Sequence, residues 1–177
     1  MDQQSHDQIY ALCDLARLCN DAPILQKHRR TMVDTAIRAA SNIVTAENTA
    51  VYNSTASILQ WCPWWSERAL QLYNQLRGHR THRQTSHIRI DGKRPWTVEH
   101  EYPVNIIKHH IYNGASTDEI VSWMMRYGRA VVILHEENKL LLQSCKTETE
   151  AANRYSNIVI VRHPHFIDCT TIPSVVI

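Results

Sequence analysis

Imidazole is the side chain whose unperturbed pKa lies closest to neutrality, and this sequence of 177 residues holds 11 of them. In Glu99-His100-Glu101-Tyr102-Pro103-Val104 one His lies directly between two carboxylates. Phosphodiester hydrolysis uses that combination. A base takes a proton from water, and a carboxylate holds a divalent cation that neutralises the developing charge. His135-Glu136-Glu137-Asn138-Lys139 supplies a second set of candidate ligands and a cation. Arg77 and His82 stand five positions apart in Arg77-Gly78-His79-Arg80-Thr81-His82, a cation and an imidazole. His109 and His110 are adjacent, so a helix would not put them on one face. His163-Pro164-His165 fits a rigid turn more simply than a metal site.

The net charge of +2 does not by itself imply a polyanionic partner. The local pattern says more. Arg77, Arg80, Arg83, Arg89, Lys93 and Arg94 share a short stretch with one acid, Asp91, and with His79, His82 and His87. Such clustering is the electrostatic footprint of a polyanion, nucleic acid above all. The plainer reading is a solvated loop with scattered counterions.

The elements that must position these groups fall into two halves. In the first, Ser5-His6-Asp7-Gln8 has the spacing of a capping box, and Ile9, Leu12, Leu15, Ala16 and Cys19 follow on one helical face. Pro23 suits the first turn of a second helix that carries Met32, Val33, Ala36, Ile37, Ala40, Ile43 and Val44. A weaker helix is expected over residues 46–60. Another is expected from Pro63 through Trp64, Leu70 and Tyr73, ended by Gly78. The second half opens with a polar, basic segment whose Asp91-Gly92 predicts a hairpin turn. Residues 104–112 and 117–127 read as helices, the latter started by the capping box Ser116-Thr117-Asp118-Glu119. Ala130–Leu134 is the strongest strand candidate and runs into a helix at His135; Ile158–Val161 reads as a second buried strand, and residues 175–177 as an edge strand. The expected fold class is α+β, a helical N-terminal half packed on a small α/β C-terminal module. The division falls at residues 1–78 and 79–177, or the two form one continuous domain.

Acid-His-x-x-Pro-apolar, as in Glu99-His100-Glu101-Tyr102-Pro103-Val104, resembles the first motif of the HNH-type (ββα-metal) endonucleases. The resemblance implies that Glu99 binds a divalent metal, Mg or Mn, and that His100 is the general base. The strand-to-helix passage Val132–Lys139 is similar to the element that completes such a site. By position Asn138 becomes a further metal ligand, with His135 the competing choice. Arg77, Arg80, Arg83, Arg89, Lys93, Arg94 and Lys139 would hold the phosphates of DNA. The family's usual β-hairpin between these two parts is replaced here by two helical segments. The Arg77–His82 spacing is also similar to that of the metal-independent HEPN-type ribonucleases, which implies that Arg77 stabilises the phosphate and His82 acts as acid or base, with Gly78 interrupting the helix on which that motif usually sits. A non-catalytic protein-binding or inhibitor module stands as the rival from another class.

Other classes are disfavoured. The four glycines are isolated, so no glycine-rich phosphate loop exists. Five cysteines, Cys13, Cys19, Cys62, Cys145 and Cys169, form no C-x-x-C pair, which fits reduced thiols in a cytoplasmic protein rather than a zinc site. No apolar run reaches membrane-spanning length, so no membrane partner is expected. A homodimer is left open.

Overall fold

The computed structural model describes residues 1–47, 58–141, 145 and 147–164 of the chain. Helix α1 (Gln3–Asp21) starts at Asp2, whose Oδ1 accepts from the Ser5 N–H at 2.7 Å. Asp2 therefore supplies the cap expected of Ser5, and Ser5 is buried inside the helix. The stripe Ile9, Cys13, Ala16 and Cys19 is buried against Val33, Ala36, Ile37, Ala40 and Ile43 of α2 (Gln26–Ala46). Pro23 lies ahead of α2, which begins at Gln26. The same core takes in Val104, Ile107 and Ile111 of a later helix and Ile120, Val121 and Met124 of the next.

A four-stranded mixed sheet lies beside these helices, in the order β2-β3-β1-β4. Its members are β1 (Trp64–Ser66), β2 (Trp96–His100), β3 (Ala130–Leu134) and β4 (Ile160–Arg162). Strand β3 runs parallel to β1 and antiparallel to β2, and β4 runs antiparallel to β1. All five residues of β3 are buried, as an uninterrupted apolar run requires when both faces are covered. Val132 and Leu134 face Trp61, Trp65, Tyr73 and Trp96, while Val131 and Ile133 face Leu141 and Tyr155. The fold is α+β, as expected. Elements on either side of Gly78 share one core and one sheet, because β1 pairs with β3 and β4, and α1 and α2 pack on residues 104–124.

The helices that complete the chain are α3 (Ile58–Trp61), α4 (Glu67–Arg77), α5 (His82–Ser86), α6 (Val104–Tyr112), α7 (Thr117–Tyr127), α8 (His135–Leu140) and α9 (Glu148–Ala152). The helix expected from Pro63 begins only at Glu67. Trp64–Ser66 instead joins the sheet, with Trp65 in register with Val132 and its ring buried. Ser66 then caps α4 by accepting from the Ala69 N–H. Short α5 arises from a Thr81/Gln84 capping box inside the segment read as polar loop. The hairpin turn stands where expected: Asp91 and Gly92 have φ of 50° and 76°, closed by the Ile90–Lys93 bridge. Strand β4 is half-buried at the sheet edge rather than fully buried. Most of the helix expected over 46–60, and the strand expected at 175–177, lie outside the described residues. Among the described residues, no helix is long and apolar enough to cross a membrane.

Candidate functional site

Strand β2 fixes where the sequence motifs go. Trp96 is in register with Leu134, and His100 with Ala130. His135 follows Leu134 directly, and its N–H donates to the Pro95 carbonyl at 3.1 Å. His135, Asn138 and Lys139 therefore sit at the Trp96 end of the β2–β3 ladder, while Glu99 and His100 sit at or near the other end. Four strand residues span about 13 Å, whereas ligands of one small cation lie about 2.0–2.2 Å from it. The metal centre expected from Glu99, His135 and Asn138 is thus not assembled. Glu99 is also engaged elsewhere: its Oε2 lies 3.4 Å from Nη2 of Arg154. These residues do not fit the implied Mg or Mn ion. Glu137, next to Asn138, accepts from Ser66 Oγ at 2.5 Å and from the Leu134 N–H at 2.9 Å.

His100 opens into a cleft of ≈ 380 Å³ bordered by Arg38 of α2, Lys108 of α6 and Arg154. Burial first, then Arg38 and Arg154, with Lys108 adding and Asp34 opposing, pushes its imidazole down to about 4. At neutral pH the ring is neutral. Arg38 Nε and Lys108 Nζ each donate to a different oxygen of Asp34, both at 2.7 Å, so one carboxylate positions two cations. Burial of Asp34 opposes its ionisation, but the bonds from Lys108 and Arg38 outweigh it and hold the carboxyl below the usual range. Nothing in the sequence announces Arg38, Asp34 or Arg154. Lys108 carries one weak signal, a cation four residues into the helix that follows Pro103.

The basic segment forms a second feature, a ridge over the end of α4, α5 and the 90–93 hairpin. Arg77, Arg80, Arg83, Arg89 and Lys93 are exposed, and Arg94 is half-buried. Arg17, Arg38, Arg68, Lys108, Arg129, Arg154 and Arg162 pair with described carboxylates, whereas none of these six does. Their side-chain contacts are to two carbonyls and an imidazole: Arg80 to the Leu76 carbonyl, Arg89 to the Gly92 carbonyl, and Arg94 to Nδ1 of His87. Exposed Lys139 and His135 stand at the end of β2 nearest this ridge.

The Arg77–His82 pair does not act as a unit. Gly78, with φ of 48°, ends α4 after Arg77, and His82 begins a separate helix. The His82 ring is turned inward, to the Tyr73 hydroxyl at 2.8 Å and the Leu59 carbonyl at 3.1 Å. The other histidine pairs are likewise occupied in packing. His110 stacks on Trp123, His109 bonds Asn113, and His163 is buried against Trp65 and Tyr73. His165 lies outside the described residues. Cys13 and Cys62 are free, buried thiols pushed up to about 12 by desolvation, which removes them as nucleophiles.

Comparison with known proteins finds no matching family model, no similar curated protein and no matching solved structure.

Proposed function

We propose that this chain binds nucleic acid along the Arg77–Arg94 ridge and cuts its phosphodiester backbone as an endonuclease, with DNA the expected substrate. The observation that carries this reading is the clustering, within one short surface segment, of six cations that pair with no described carboxylate, whereas Arg17, Arg38, Arg68, Lys108, Arg129, Arg154 and Arg162 do. Unpaired surface cations are the groups that displace counterions from a phosphate backbone. His100 is the proton acceptor in this reading. Its neutral ring takes a proton from water as the water oxygen bonds to phosphorus, and the bond to the leaving oxygen breaks, that oxygen keeping the bonding pair and taking a proton from solvent water. A phosphate entering the cleft adds negative charge beside the ring and raises its proton affinity toward the working range of a base.

Non-catalytic nucleic-acid binding is the second reading, favoured by the separation of Asn138 and His135 from Glu99. One experiment divides them: incubating the protein with DNA and with RNA, with chelator and with magnesium or manganese. Cleavage abolished by His100→Gln, with binding retained, supports the endonuclease. Binding without cleavage under any of these conditions leaves the binder.

A further inference from the structure

We propose that the cleft between β2, α2 and α6 is a binding site for a single phosphate group, gripped directly by Arg38 and Lys108 and attracted by the fixed charge of Arg154. The inference rests on the nucleic-acid reading only for the source of that phosphate, a backbone diester rather than the free ion. Three features of the cleft support it.

The first is a charged side chain fixed deep in the wall. The Arg154 side chain is only 5% exposed, and its guanidinium is locked in orientation by the His100 carbonyl at 2.8 Å and by Glu99. A buried guanidinium on the wall of an open cleft fixes a positive charge there that attracts an anion. The second is the Asp34 bridge. It uses only Nε of Arg38, whose two terminal nitrogens bond no described residue, and one of the three donors of Lys108. Both cations are held at the rim with donors to spare, so little order has to be created when an anion arrives. The third is the start of α6. Val104 and Asn105 line the cleft, and no side chain caps this nine-residue helix. Its first-turn amides add the partial positive charge of a helix N-terminus.

Charge and size agree. Three cations face two carboxylates, Asp34 and Glu99, which leaves one positive charge beside a neutral His100. One charge matches the single negative charge of a phosphodiester and opposes entry of a bare divalent cation. A volume of ≈ 380 Å³ admits a phosphate with an attached sugar.

The test is calorimetric titration of the full chain, in chelator, with inorganic phosphate and with a thymidine dinucleotide that carries one diester. The expected result is one site per chain for each ligand. Lys108→Met and Arg38→Gln should each weaken binding about tenfold or more. Both side chains reach solvent, so these variants keep the test alive should Arg154→Met fail to fold. Arg80→Glu/Arg83→Glu on the ridge should leave inorganic phosphate binding unchanged. Absence of phosphate binding overturns the proposal. So does binding indifferent to Lys108→Met and Arg38→Gln, or binding that requires added magnesium. Inorganic phosphate binding with no dinucleotide binding upholds the cleft and removes the backbone as its ligand.

Discussion

Replacing His100 by Gln should flatten the response of folding stability to acid. In the unfolded chain the ring titrates near 6.5; in the fold, burial, Arg38, Arg154 and Lys108 push it down to about 4 against the opposing Asp34. The folded state therefore binds this proton less readily than the unfolded state. The stability this group contributes is complete above the unfolded value and is lost as pH falls toward the folded one. Over the roughly two pH units from 6.5 to 4.5, at about 1.36 kcal/mol each, about 2.5 kcal/mol goes. Gln has no proton to gain, and all other groups titrate alike in both proteins. Urea unfolding near neutrality and at about pH 4.5 should show the wild type losing about 2.5 kcal/mol more than the variant. Parallel curves would refute the reasoning, because they would mean that the ring is as well solvated as a free histidine and does not sense the three cations.

Three further outcomes follow from packing. Gly128→Ala places a methyl against the sulfur and carbonyl of Met124 and beside the carbonyl that accepts from Ser41, and thermal melts should show a loss of about 1–3 kcal/mol. Ser66→Ala removes both the N-cap of α4 and the hydroxyl that donates to buried Glu137. It should cost about 1–3 kcal/mol by urea unfolding. Trp65→Ala empties the centre of a cluster in which its ring meets Tyr73 at 5.3 Å and Trp96 at 5.8 Å, for a loss of about 3–5 kcal/mol by the same measurement.

Local chemistry made some of this molecule legible in its sequence. The Ser116 capping box and the Met124 face announce α7, and five consecutive apolar residues announce β3, because each signal is complete within one element. Strand β1 was hidden. Trp64 and Trp65 lie just after a Pro, where a helix start is the commoner meaning, and only pairing with Val132 and Val161 makes them a strand. The site divides the same way. Glu99 and His100 are neighbours in sequence and remain neighbours in space, but Asn138 falls at the far end of the ladder. Register is set by pairing between segments and not by either segment alone. Arg38, Asp34, Lys108 and Arg154 meet across more than a hundred residues of chain. No local spacing encodes that meeting, since it depends on α2, α6 and β2 packing side by side.

The most direct measurement is the anisotropy of a labelled DNA duplex titrated with wild-type protein and with Arg80→Glu/Arg83→Glu as salt is raised. The account predicts binding at low salt whose logarithmic affinity falls linearly with the logarithm of salt concentration. The double charge reversal should weaken it and lower that slope by about two. No binding at low salt, or binding that the double variant leaves unchanged, would contradict it.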